Sequence, residues 1–304
     1  MQKKTSELLN EEICQRFGID GLEFRGHFTE EEMVNQEGHI LSDLAYMANT
    51  LKIKEDDIGL GGFHLTVSRI VGGETTHGAY FPNARVMATY YNRDGLDCGA
   101  FAHEWFHALD HQIAQHFHLK NDYFTNAMIS GEIDDASVRK LVRMSPDAIR
   151  ASEGTIRERC EKIEQICGMK PGVISSHAEI SARSFESALV RNTDHPFLGE
   201  YESYSWTPVE GMRIFPTKDE EGLLCAAAVR TVNGASRVGL IQALKQDRGL
   251  IKDYPDLDLS EIQGIKRPPE ETIDRDRDGA DDRFDSFIDE NHNGIDDRDE
   301  DLEL

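Results

Sequence analysis

GAFAHEWFHALDHQIAQHFHLK, residues 99–120, holds five of the chain's twelve histidines and no proline. Nothing in it interrupts a helix. On an α-helix, residues four apart share a face and stand about 6 Å apart along the axis. His103 and His107 can therefore both reach one ion with nitrogen bonds of about 2 Å. Glu104 follows His103 directly and points sideways, so it is badly placed as a ligand but can reach a water in the ion's open position. His103-Glu104-x-x-His107 thus describes two imidazoles on a metal with a carboxylate beside them as general base. His111 lies about 12 Å along the axis from His103, too far for one tetrahedral ion. A glycine that breaks the helix can bring in a third histidine, but this chain has Ala108-Leu109-Asp110 there. His111, His116 and His118 are read as surface or supporting residues. Asp110 has two readings: it orients a metal-bound imidazole through its free N–H, or it is an ordinary helix-surface carboxylate.

A catalytic zinc site takes three protein ligands and keeps one open position. The third ligand must come from elsewhere, and SSHAEISARSFESALVRNTDH (175–195) offers Glu179 and Glu186 on one helix face. Against Glu179 stands a plain alternative: Ser176-x-x-Glu179 is a capping box, and Arg183 is four residues further on to pair with it. If Glu179 is the ligand, its loss should strip zinc from the protein, whereas loss of Glu186 should not.

The rest of the chain bounds the answer. It has 304 residues, 38% hydrophobic and 30% charged, with a net charge of −24. That charge argues against a nucleic-acid backbone as partner. No run of about 18 apolar residues suggests a membrane span, and MQKKTSELLNEEICQRFG lacks the apolar core of a signal peptide. The five scattered cysteines, without a CxxC pair, fit reduced thiols. The expected origin is therefore a cytoplasm.

Thr29-x-x-Glu32 followed by Met33, Ile40, Leu41, Leu44, Met47 and Leu51 predicts a helix over 29–51. FHLTVSRIV (63–71) and ARVMATYY (84–91), punctuated by Gly72-Gly73 and Pro82-Asn83, predict a small antiparallel sheet. Further helices are expected near 133–143, 146–167, 177–190, 218–231 and 236–246, with Asn233-Gly234 separating the last two. The organisation read from this is an N-terminal helical region (1–56), a main domain (57–246), a linker (247–272) and a tail (273–304).

IGLGGFHLTVSRIVGGETTHGAYFPNARVMATYYNRDGLDCGAFAHEWFHALDHQ resembles the large polyvalent protein-associated domain family of phage and conjugative-element proteins. The likeness covers roughly residues 15–232, and His-Glu-Trp-x-His-Ala-Leu-Asp is its most specific part. HEWFHALD and AEISARSFESALVRNTDH are also similar to the metallopeptidase domain of anthrax lethal factor, a gluzincin. That resemblance implies an α+β, zincin-like fold, with a small sheet, the HExxH helix and a helical subdomain. It also implies a glutamate of the second helix, here Glu179, as third zinc ligand. Enzymes of that type place a tyrosine upstream of this ligand to stabilise the oxyanion, whereas here Gly172-Val173-Ile174-Ser175-Ser176-His177 has none. His177, Tyr201 and Tyr204 are the candidates for that role, each with the alternative of being an ordinary surface or packing residue. The chemistry implied is zinc-assisted hydrolysis of a protein or peptide substrate, with Glu104 as general base.

The tail has a signature of its own. Residues 271–304 carry 15 acidic and 4 basic side chains, 11 of the 24 net negative charges. DRDRDGADDRFD and DENHNGIDDRDE follow the EF-hand loop. The ligand positions are Asp274, Asp276, Asp278, Asp282 and Asp285, then Asp289, Asn291, Asn293, Asp297 and Glu300, with Gly279 and Gly294 at the sharp turns. The alternative is a disordered acidic extension. The close spacing resembles thrombospondin type 3 repeats and dockerins, which implies Ca²⁺ outside the cell. A protein made in a cytoplasm and delivered outward, in a virion or by a secretion system, reconciles the two, with other proteins of that assembly as partners. Two further readings remain: a non-catalytic virion or secreted structural protein on a zincin scaffold, and a thiol hydrolase using Cys98 near His103. The intact Glu104 favours the enzyme over the scaffold.

Overall fold

The computed structural model describes residues 4–69, 78–91, 97–98, 100–134, 136, 141–190, 195–199, 209 and 212–247. In chain order its elements are α1 (Thr5–Phe17), β1 (Gly21–Arg25), α2 (Glu30–Leu51), β2 (His64–Arg69), β3 (Gly78–Phe81), β4 (Val86–Tyr91) and β5 (Asp97–Cys98). Then follow α3 (Phe101–His116), α4 (Phe124–Ser130), α5 (Pro146–Ile166), α6 (His177–Val190), α7 (Lys218–Arg237) and α8 (Leu240–Asp247). The architecture is α+β. The two stretches expected to bind calcium, with Asp274 to Glu300, lie outside the described residues, as do Tyr201 and Tyr204.

The helix expected over 29–51 forms for the reason the sequence offers. The Thr29 side chain accepts the Glu32 N–H and Glu32 reaches back to the Thr29 N–H, closing the capping box. This helix is also the crossover that lets β1 and β2 run parallel, since parallel neighbours cannot be joined by a tight hairpin.

The sheet is mixed, not antiparallel as the strand patterns predict. Its order is β1-β2-β4-β3, with β5 also on β4. β2 and β4 run parallel, and only β3 and β5 oppose β4. Pro82-Asn83 does turn a hairpin, but it joins β3 to β4. Because β3 takes the outer position, β4 returns beside β2 in the same direction. Alternation of side chains records which face is buried, not which way a neighbour runs.

Residues on both sides of position 57 share one core. Ile13 and Phe17 of α1, Leu22 of β1 and Leu44 and Met47 of α2 pack with Leu65, Met87, Trp105, Phe106 and Phe185. The sequence break expected at Asn233-Gly234 is absent, and α7 runs through it to Arg237. A Cβ at Gly234 would collide with the Leu141 carbonyl, so this glycine serves close packing and does not end the helix. Among the described residues, no helix is long and apolar enough to cross a membrane. Cys14, Cys160, Cys167 and Cys225 form no disulfide.

Candidate metal centre

α3 is anchored along its length. Trp105 is fully buried, and its indole N–H donates to the Ile58 carbonyl at 2.6 Å. The Phe185 ring of α6 lies 5.7 Å from Trp105 and 5.2 Å from Phe106. This aromatic contact holds α6 against α3 and brings Glu179 over the two histidines.

His103 Nε2 and His107 Nε2 are 3.0 Å apart. Glu179 Oε2 is 3.4 Å from the first, and Oε1 is 3.1 Å from the second. Bonds of about 2.0–2.1 Å to a tetrahedral ion put neighbouring ligand atoms about 3.3 Å apart, so the three side chains have the spacing of one coordination sphere. They form a group able to hold a metal ion. Ser176 Oγ does accept the Glu179 N–H, as a cap should, yet the Glu179 carboxylate faces the imidazoles. Arg183 is buried and donates to the Ile174 carbonyl, turned away from Glu179.

The electrostatics favour positive charge at this point. Burial opposes protonation of His103, but hydrogen bonds to Glu179 and Glu186 outweigh it and push the ring up to about 10. Burial likewise resists ionisation of Glu179, and the charges and hydrogen bonds of His107 and His103 hold it well below the usual carboxylate range. A pocket that keeps a proton on imidazole at neutral pH is equally suited to a cation, because buried carboxylates need a partner.

Two neighbours support this group. Glu186, 1% exposed, places Oε2 3.5 Å from His103 Nδ1. It is the imidazole's outer hydrogen-bond partner, the role that fixes ring orientation in metal sites. Glu104 is buried beside the histidines, and burial pushes its carboxyl up. The Tyr80 backbone N–H of β3 donates to it. β3 comes this close because residue 78 is glycine: a Cβ there would stand 2.8 Å from Glu104 Cγ and 2.9 Å from Ala100 Cβ.

Asp110 fits neither of its sequence readings. It is fully buried, and its carboxylate accepts the Thr125 N–H at 2.9 Å and the Thr125 hydroxyl at 2.5 Å, capping α4. His107 Nδ1 is left without a hydrogen-bond partner. His111 Nδ1 meets the Asp122 carbonyl at 2.9 Å, while His116 and His118 are exposed.

His177 opens α6 but is engaged elsewhere: Nδ1 with Glu153, and Nε2 with Arg157 at 3.1 Å. It lines a cavity of about 480 Å³ together with Asn126, Arg157, Met169 and Pro171. Neither ring nitrogen is left for a developing oxyanion. Tyr123, which sequence reasoning passed over, has its ring 5.4 Å from that of His107. Burial and the nearby carboxylates Glu179, Asp110 and Glu104 push its phenol up to about 12, so it keeps its proton as a hydrogen-bond donor. The sequence carries no signal for it: Tyr123 is the N-cap of α4, and its place beside His107 follows from the contact of that helix with Asp110. Comparison of the chain with protein-family models, curated proteins and solved structures returns no match.

Proposed function

We propose that this chain is a zinc-dependent endopeptidase of the gluzincin type, with a zincin-like core and a calcium-binding tail. The observation that carries the proposal is the meeting of His103, His107 and Glu179 at ligand-to-ligand spacing, with Glu104 buried beside them. Zn²⁺ suits the donor set of two imidazoles and a carboxylate, and when bound it would polarise a scissile carbonyl and acidify water. Glu104 takes a proton from the attacking water and delivers it to the departing amine, and its raised pKa brings it nearer the working pH, where a general base is most effective. Tyr123, protonated throughout the neutral range, donates to the oxygen on which charge develops. Glu186 keeps the His103 ring turned so that Nε2 faces His107 and Glu179, which together with it would hold the ion. The substrate is a protein or peptide, and the setting a phage, a mobile element or a delivered effector.

The test is metal analysis of the purified chain, paired with hydrolysis of a mixed peptide library. The wild type should hold one zinc per chain and cleave. Glu104→Gln keeps the size and hydrogen bonding but cannot take up the proton, so zinc should remain and cleavage should vanish. A zinc-loaded wild type that cleaves nothing would instead favour the non-catalytic structural role.

A further inference from the structure

We infer that Asp43, on α2, is a positioning residue for the metal centre, acting through the segment His195–Gly199. The inference rests on the reading of His103, His107 and Glu179 as zinc ligands. The segment is fixed at one end by a single buried carboxylate. Asp43 Oδ1 meets His195 Nδ1 at 2.7 Å, and Oδ2 accepts the Phe197 N–H at 3.0 Å. One helical turn along, the Tyr46 ring stacks on His195 with centroids 3.8 Å apart, while its hydroxyl donates to the Leu189 carbonyl of α6.

From that anchorage the segment meets the metal centre in two places. α3 has no side-chain cap at Ala100, and a helix start leaves its first N–H groups without intrahelical partners. Here the Phe197 carbonyl accepts the Phe101 N–H at 3.3 Å, and the Leu198 carbonyl accepts the Ala102 N–H at 3.0 Å. His103 is the next residue. The Phe197 ring also stacks on Phe101, centroids 4.9 Å apart. The second contact is Gly199, which lies against Glu186: a Cβ there would stand 2.7 Å from Glu186 Cγ and closer still to Oε1. Glu186 in turn holds His103 Nδ1. Both the backbone that carries His103 and the carboxylate that orients its ring are thus set by five residues pinned to α2. Displacing them would shift His103 against His107 and Glu179 without touching a ligand.

Zn²⁺ affinity by competition with a chromophoric chelator, and the visible spectrum of the Co²⁺-substituted protein, test this. Asp43→Asn, His195→Leu and Gly199→Ala should each bind zinc about 10-fold more weakly, the lower end of the effect of losing an outer partner, and should alter the Co²⁺ bands. His195→Asn, whose amide nitrogen stands where Nδ1 stood, should restore both. Arg159→Ala removes the tether between α5 and Glu220 of α7, so it should lower the melting temperature but leave zinc affinity unchanged. If Asp43→Asn fails to fold, Gly199→Ala decides, since it leaves the Asp43 contacts intact. Wild-type affinity and Co²⁺ spectra in Gly199→Ala and His195→Leu would overturn the inference. A wild type that binds no zinc would overturn the underlying metal reading instead.

Discussion

Replacing Glu186 with leucine or glutamine tests its hold on His103 in the metal-free protein and in the metal-bound one. The carboxylate serves His103 through one oxygen, 3.5 Å from Nδ1. Its other oxygen, Oε1, is buried without a hydrogen-bond partner, and burial pushes its pKa up. In the metal-free protein the carboxylate nevertheless pairs with the protonated His103 ring, so leucine removes one partner of a buried pair and leaves the other uncompensated, which costs stability. In the metal-bound protein the same change leaves the His103 N–H unpaired and the ring free to turn. Loss of such a partner weakens metal binding by about 10–100-fold, or roughly 1.4–2.8 kcal/mol at 1.4 kcal/mol per tenfold. Glu186→Leu belongs near the upper figure. Glu186→Gln can still offer an amide oxygen and belongs near the lower. The assay is a zinc competition titration at pH 7, beside thermal melts in excess chelator. Zinc affinity should fall by up to about 100-fold for Glu186→Leu, whose melting temperature in chelator should fall as well, and by less on both counts for Glu186→Gln. This replaces the expectation from sequence that loss of Glu186 spares zinc. An unchanged zinc dissociation constant would refute the reasoning, and a lowered melting temperature in chelator with zinc affinity kept would reduce Glu186 to a structural part.

Tyr123→Phe should lower kcat by about 10²–10³, the cost of one oxyanion donor, with zinc affinity unchanged; an unaltered kcat would remove Tyr123 from the chemistry. Glu37 is buried between α1 and α2 and bonded to the Ser6 hydroxyl, and burial pushes its carboxyl up from 4.5 to about 7. The folded state then binds this proton more tightly than the unfolded, so its contribution to stability should fall as pH rises from about 4.5 to about 7. The slope is no steeper than about 1.4 kcal/mol per pH unit. In denaturant melts across that range, Glu37→Gln should be flatter than wild type, and parallel profiles would count against it. Calorimetric titration should show Ca²⁺ binding by the full-length chain at about 10⁻⁴–10⁻³ M, lost on joint replacement of Asp274, Asp278, Asp289 and Asn293 by alanine. No uptake at several millimolar would leave a plain acidic extension.

The sequence by itself determined the local half of the candidate metal centre. The relation of His103, Glu104 and His107 is a helix period, and a helix repeats the same way wherever it is packed. The Thr29–Glu32 box and the start of α6 at His177 are equally local, since each is set by side chains within one turn. The choice among Glu179's readings is not local: Ser176 caps the helix as its spacing says, while the packing of Phe185 on Trp105 and Phe106 brings the carboxylate to the imidazoles. Strand direction escaped for the same reason, because alternation fixes a face and leaves the neighbour open. Glu186, Asp110 and Tyr123 took their roles from partners between 15 and 83 residues away along the chain, and Asp43 meets His195 across 152. Hydrogen bonds and charges act over a few ångströms, so a sequence records them only where the backbone's own period brings residues together; every other meeting in this centre was decided by how the helices pack.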